Sequence, residues 1–162
     1  MKTPHINGLL FVLSITCVAS CQYDPHAHRY TTAKPLHREL VGTYVLQSET
    51  ILQADSSELN GRQCIVELKA DGTFTAANVP PLNSDPGPGF VARLRSGSGK
   101  WRVDPVGRVD SGWESKTVWG VYLDSPSELG PAHIAGRTAP YGLIFSVGDP
   151  DSGEVLVLKR TM

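Results

Sequence analysis

The sequence contains few cysteines and no long apolar segment. Three cysteines occur in the 162 residues, and two of them, Cys17 and Cys21, lie close to the N-terminus. Cys64 is therefore the single thiol of the remaining chain, which excludes an internal disulfide there. The apolar run at residues 9–13 is much shorter than the about 20 residues that a membrane-spanning helix requires, and no later run approaches that length.

An excess of one charge is also missing. The chain has 15 basic and 16 acidic residues, which gives a formal net charge of −1 at pH 7. A nucleic-acid-binding domain usually carries a basic stripe or patch that is visible in the sequence, and this chain has none. The composition therefore argues against a nucleic-acid partner.

Catalytic and cofactor motifs are absent as well. Neither a His-Glu-x-x-His zinc motif nor a Gly-x-Ser-x-Gly elbow occurs. Residues 87–92 imitate a dinucleotide fingerprint by letter, but no strand precedes them and Pro88 disrupts the turn that the motif requires. Residues 97–100 lack the spacing of a phosphate-binding loop. We therefore predict a protein without enzymatic activity and without a cofactor.

Two groups of residues have the chemistry of metal ligands. His26 and His28 are two positions apart in a polar segment, where two ligands make a poor site. Asp149, Asp151 and Glu154 could offer carboxylates to calcium, but the full loop pattern is missing, and Asp and Gly are the residues that a hairpin turn favours. No metal site is predicted.

Two further side chains are candidates for chemistry. Cys64 alternates with Val66 and Leu68, so it is expected to face the core as a small apolar residue, while a reactive nucleophile would need an activating neighbour. His133 is expected in a loop, and general-base catalysis would need a partner that the sequence does not identify.

The N-terminus has the pattern of an export signal. Lys2 precedes an apolar stretch, and small residues lead to a cysteine in Val18-Ala19-Ser20-Cys21. This tetrapeptide resembles the lipobox of bacterial lipoprotein precursors. The resemblance implies cleavage between Ser20 and Cys21 and lipidation of Cys21. An ordinary cleaved secretory signal and an uncleaved anchor are the alternatives.

This resemblance divides the chain into a signal peptide at residues 1–20, a flexible polar tether at residues 21–38 and one β domain at residues 39–162. A second acyl chain makes membrane anchoring stable, because each buried methylene contributes roughly 0.8 kcal/mol. Gln22 replaces the Asp that retains such proteins at the inner membrane, so we expect a lipid anchor in the outer membrane facing the periplasm.

Alternating apolar residues predict strands along the domain. The clearest is a hairpin over residues 63–78, with Asp71-Gly72 at its turn, because Gly accepts the positive φ of such turns. A second hairpin is predicted at residues 142–160. Other strands are expected at residues 39–46, 99–103 and 118–123, and a short helix around residues 50–55.

Turns are predicted at residues 105–107 and a long loop at residues 125–140. About seven to eight short strands with almost no helical period favour an all-β, antiparallel small barrel or sandwich. The large aromatic residues Trp101, Trp113 and Trp119 are expected mainly in its core.

Gly42-x-Tyr44 at a strand start and Arg160 on the last strand resemble the lipocalin pattern, in which an aromatic residue closes one end of the barrel beneath an arginine. The resemblance covers residues 40–160, with Tyr in the place of the family's Trp. Trp101 follows Gly99 in a similar strand start. The resemblance implies a cup that holds a small apolar ligand.

Three functions are therefore open. The first is a non-enzymatic binding or interaction module for a small apolar ligand or an envelope protein. The second is an envelope hydrolase with a site on the loops around His133 and Asp149. The third is a purely structural lipoprotein, which a filled barrel with no cavity would favour over ligand binding.

Overall fold

The computed structural model describes residues 24–47, 61–80, 82, 94–110, 113–124 and 129–161. They form a closed barrel of eight antiparallel strands in which each strand pairs with the next and the last pairs with the first. This confirms the predicted all-β fold class. The strands are β1 (Gly42–Leu46), β2 (Ile65–Leu68), β3 (Thr73–Val79), β4 (Arg95–Asp110), β5 (Ser115–Asp124), β6 (Ala132–Ala135), β7 (Gly142–Ser146) and β8 (Val155–Arg160).

The interior of the barrel is filled by apolar side chains. Alternate residues of each strand point inward, and their side chains form one contiguous buried cluster. Its largest fully buried members are Tyr44, Phe74 and Phe145. Side chains of this size occupy the inside of a small eight-stranded barrel by themselves. In the described residues, the interior is therefore occupied by buried apolar side chains.

Both predicted hairpins are present. The β2–β3 turn places Gly72 at φ +80°, and the Asp71 side chain accepts hydrogen bonds from the backbone and hydroxyl of Thr73. Such a φ is favourable for glycine alone, which explains the Asp-Gly pair. In the second hairpin, Gly142 to Ser146 pair with Lys159 to Val155.

The middle of the chain differs from the prediction. The expected turn at residues 105–107 is a β-bulge, and β4 continues to Asp110 in register with β5. Pro105 has no amide hydrogen, and a bulge is a place where a strand tolerates it.

The predicted loop at residues 125–140 contains the short strand β6, so the expectation of a loop for His133 was wrong.

One end of the barrel is closed by a one-turn helix, α1 (His37–Leu40). The Tyr44 hydroxyl donates to the Leu40 carbonyl at 2.7 Å, and the His37 ring stacks on Trp101 with 4.0 Å between centroids. Trp101 is buried and donates through Nε1 to the Lys69 carbonyl at 3.0 Å. Burial raises the pKa of Tyr44 to about 12, so its hydroxyl stays a hydrogen-bond donor.

Arg160 lies at this same end, paired across the strands with Tyr44. Its guanidinium contacts the backbone of Gly42, where a Cβ would lie 2.5 Å from Nε. Nη1 donates to the Glu39 carbonyl at 2.9 Å. Arg160 thus lies across Tyr44 at one end of the barrel, and its charge lowers the pKa of the Tyr44 hydroxyl against the larger effect of burial.

Residues 24–36, which we name the strap, lie against the outside of the barrel. The sequence predicts a flexible tether here, but Tyr30 and Thr31 are buried. The predicted helix at residues 50–55, the cleavage site at Ser20 and the lipidation site Cys21 lie outside the described residues. No helix within the described part of the chain is long and apolar enough to cross a membrane.

Candidate functional site

The strap is held between two strands that separate. β5 and β6 share only the pairs Gly120 with His133 and Val121 with Ala132. Beyond them, Thr31 enters the gap: its amide donates to the Ile134 carbonyl at 2.8 Å, and its carbonyl accepts from the Trp119 amide at 3.2 Å. The strap therefore satisfies backbone groups that the separation of the strands would leave without partners.

A glycine fixes the next part of the strap. The Gly136 amide donates to the Arg29 carbonyl at 2.9 Å, and its carbonyl accepts from the Thr31 hydroxyl at 2.6 Å. Gly136 has φ +113°, a conformation that other residues rarely adopt. This double contact sets the position of Arg29 beside the loop between β6 and β7.

Beneath the strap lies a second buried cluster, on the outer face of the sheet. Tyr30 packs there with Val118, Ile144 and Val155. The Tyr30 ring also stacks on His133 with 4.1 Å between centroids, and its hydroxyl donates to Asp24 at 2.6 Å. Burial, followed by the hydrogen bond to Asp24, raises the pKa of Tyr30, so the hydroxyl remains protonated.

His133 is the unusual member of this outer cluster. Its Nδ1 is buried and has no hydrogen-bond partner among the described residues. Burial lowers the pKa of His133, while the negative charge of Asp24 and the backbone of Ile144 oppose that shift. The imidazole is therefore held neutral near pH 7, in a place where a positive charge is poorly solvated.

A cleft of about 400 Å³ opens beside the strap, at the end of β7 and β8 that is remote from their connecting turn. Its volume lies in the range of small-molecule sites. The strap forms one wall, the loop between β6 and β7 the second, and β8 the third. The lining residues are His28, Arg29, Ala135, Gly136, Arg137, Pro140, Tyr141, Gly142, Val157, Leu158, Lys159 and Arg160.

Four cations line this cleft: Arg29, Arg137, Lys159 and Arg160. No carboxylate is among the lining residues. Within the described part of the chain, the ion pairs involve Lys69, Arg102 and Lys116, none of which lines the cleft. Among the residues that the structure describes, no direct ion pair therefore neutralises the positive charge of the cleft.

Glu39 is an acidic residue whose charge acts on the lining of the cleft. Burial and then the charge of Glu39 raise the pKa of Tyr141, a lining residue. The Glu39 carboxylate is already engaged, because it accepts the Leu36 amide at 2.8 Å, and its backbone carbonyl accepts Arg160. It thus fixes the end of the strap and the Arg160 side chain without forming an ion pair in the cleft.

The predicted candidate residues are not brought together. Cys64 is buried, and burial raises the pKa of its thiol to about 12, which fits a core residue. The Asp149 carboxylate accepts the Asp151 amide within the turn between β7 and β8, whereas the charged group acting on His133 is Asp24. The described geometry gives the proposed hydrolase site no acid–base pair between His133 and Asp149.

The two histidines considered as metal ligands have structural partners. His26 donates through Nε2 to the Gly153 carbonyl at 3.0 Å, and His28 donates through Nδ1 to the Pro25 carbonyl at 2.9 Å.

Trp113, expected in the core, is fully exposed at the connection of β4 and β5.

The cleft cations were missed by sequence reasoning, because Arg29, Arg137 and Lys159 are isolated basic residues at distant positions. Arg160 was predicted only in its structural role. Only a predicted contact between the last strand and the tether would have brought these cations together, and nothing in the sequence indicates that contact.

Comparisons with known proteins assign neither a family nor a function to the chain. No protein-family model, curated protein or solved structure matches the chain.

Proposed function

We propose that this chain is a lipid-anchored protein of the bacterial cell envelope whose barrel is a non-enzymatic binding module, with its ligand site in the outer cleft. The membrane attachment is through lipid on Cys21, and the periplasmic face of the outer membrane is the proposed location. The Val18-Ala19-Ser20-Cys21 pattern and the Gln22 that follows it support this part.

The observation that carries the binding function is the position of the open space. The interior is occupied by side chains such as Phe74 and Phe145, whereas the described part of the chain leaves a cleft of about 400 Å³ outside the barrel. A small apolar ligand inside a cup, which the lipocalin resemblance implies, would have to displace these side chains. The cleft, in contrast, is open space between its lining residues.

The cleft also has the features of a prepared site. Its walls come from the strap, the β6–β7 loop and β8, and hydrogen bonds from Gly136 hold the first two together. A site fixed before the ligand arrives loses little free energy to ordering on binding.

A matched pair of substitutions tests the cleft as the binding site. Lys159 and Lys100 are both exposed lysines on strands, but only Lys159 lines the cleft. We expect Lys159→Trp to fill the cleft and abolish thermal stabilisation by any ligand found in a screen of small molecules. Lys100→Trp should leave that stabilisation unchanged. Ligands whose effect survives Lys159→Trp would place the site elsewhere and refute the proposal.

The anchor is tested separately. Mass spectrometry of the protein from its native membrane should find a mature N-terminus at Cys21 that carries lipid. Cys21→Ser should remove the lipid, and an unmodified Cys21 in the parent protein would contradict the proposed anchoring.

A further inference from the structure

We infer that the cleft takes a small amphiphilic anion: a phosphate or carboxylate group attached to a short apolar chain. This inference rests on the proposed function and specifies the ligand class of the same site.

The anionic part of the ligand follows from the charges. Three arginines and a lysine line the cleft without a lining carboxylate, in a chain whose formal net charge is −1. An anion bound in the cleft is attracted by each of these four cations. Guanidinium groups also present a planar fork of donors that matches phosphate and carboxylate oxygens.

The cations differ in freedom. Arg29 and Arg160 are half-buried: the Arg29 backbone carbonyl accepts the Gly136 amide, which positions the backbone of Arg29, whereas the guanidinium of Arg160 itself donates to the Glu39 carbonyl. Arg137 and Lys159 are exposed and can move toward a ligand. The cleft thus combines one guanidinium that is held in place, that of Arg160, with exposed charges that can adapt to a ligand.

The apolar part of the ligand follows from the remaining lining. Ala135, Pro140 and Val157 contribute apolar surface between the cations. Val157 belongs to the edge of the apolar cluster beneath the strap. A chain of a few methylenes lying there gains roughly 25 cal/mol for each Å² of apolar surface removed from water. Inorganic phosphate alone would leave this surface uncovered.

The ligand class can be tested by calorimetry on the protein carrying Cys21→Ser, after circular dichroism has verified its β structure. The probes are n-octyl phosphate below its micelle concentration, inorganic phosphate and 1-octanol. We expect saturable binding of one octyl phosphate per chain, at least tenfold weaker binding of inorganic phosphate and no saturable binding of octanol. Raising the salt concentration should weaken octyl phosphate binding, because exposed charges are screened.

Charge-removing variants then locate the site. Arg137→Gln with Lys159→Gln should weaken octyl phosphate binding about tenfold, the size expected for losing two exposed ion pairs. Lys100→Gln is the matched control and should have no effect. Arg160 is not substituted, because its guanidinium also closes the end of the barrel against Gly42.

The failures of the two proposals can be told apart. Equal binding of octanol and octyl phosphate that Lys159→Trp abolishes would refute the anionic ligand and keep the cleft as the binding site. Octyl phosphate binding that Lys159→Trp does not change would refute the cleft itself. A third outcome is that octyl phosphate does not bind, while phosphatidylglycerol vesicles bind and Arg137→Gln with Lys159→Gln abolishes that binding. This outcome would assign the cations to a membrane surface and overturn the inference.

Discussion

The interior of the barrel and its outer face beneath the strap are both apolar surfaces, but they are completed in different ways. The interior is closed by the strands themselves and by α1, and its buried members are apolar side chains. The outer cluster around Ile144 is covered by Tyr30 from the strap, with Asp24 and the unpartnered Nδ1 of His133 at its border. The first region is therefore covered by the sheet and α1, and the second by the strap.

This difference separates the fold from its function. A filled interior can stabilise the barrel without any ligand, whereas the strap and the cleft share Arg29 and the Gly136 loop. Movement of the strap would alter the cleft and leave the interior intact.

The largest effect is expected in the interior. Phe145 is fully buried, and Phe145→Ala should lower the free energy of unfolding by about 3–5 kcal/mol, because it removes apolar contacts and leaves a cavity. Chemical denaturation monitored by circular dichroism measures this loss. A loss below about 1 kcal/mol would show that the interior is not the stabilising region.

An intermediate effect is expected at the strap. Tyr30→Ala removes the ring that covers the outer cluster, and we expect a loss of about 2 kcal/mol, less than a core aromatic, because the strap can detach locally while the barrel persists. Hydrogen exchange should accelerate at the amides of Thr31, Trp119 and Gly136, which bond strap to barrel.

The Leu46 amide, which bonds to Cys64 within the barrel, is the internal reference and should keep its exchange rate. Tyr30→Phe retains the stacking on His133 and loses the hydrogen bonds of the hydroxyl with Asp24 and Ser146, so its effect should be smaller. Acceleration at Leu46 equal to that at Thr31 would mean that strap and barrel unfold as one unit.

A smaller effect is expected from backbone conformation. A Cβ would meet no atom within 4 Å at either Gly72 or Gly107, but only Gly72 has positive φ. Gly72→Ala should therefore destabilise the protein by about 1 kcal/mol, whereas Gly107→Ala should be neutral or stabilising. Equal melting temperatures for the two variants would contradict a positive φ at this turn.

The smallest effect is a pH dependence. Because burial lowers the pKa of His133 in the folded protein, the unfolded chain binds a proton first as the pH falls below the ordinary histidine pKa of about 6.5. Stability should decrease with falling pH from that value down to the folded pKa.

His133→Phe keeps an aromatic ring against Tyr30 and cannot titrate. Urea denaturation at a series of pH values should show a shallower loss of stability for this variant than for the parent protein. An identical pH profile would assign the acid sensitivity to other groups.

Much of the barrel could be predicted from the sequence, because alternating residues such as Cys64, Val66 and Leu68 encode both a strand and its buried face. β6 was missed because it has only four residues between Gly130-Pro131 and Gly136, so neighbouring strands rather than local preference stabilise it. A turn was predicted at Pro105 because the bulge that contains this residue depends on the register with β5, which the local sequence does not show.

The strap and the cleft could not be predicted for a different reason. Their contacts join residues far apart in the chain, such as Thr31 with Gly136 and His26 with Gly153. The strap sequence is polar and lacks an apolar period, so nothing local distinguishes it from a tether. Only the closed barrel creates the gap between β5 and β6 that holds Thr31.

Backbone amide NMR of the Cys21→Ser protein, titrated with n-octyl phosphate, tests most directly whether the binding surface lies outside the barrel. We expect progressive shifts at the amides of Gly136, Gly142 and Lys159, which line the cleft, and unchanged signals for the interior residues Val66 and Phe74. Shifts concentrated at Val66 and Phe74, with the cleft amides unchanged, would contradict the outer site and restore the cup.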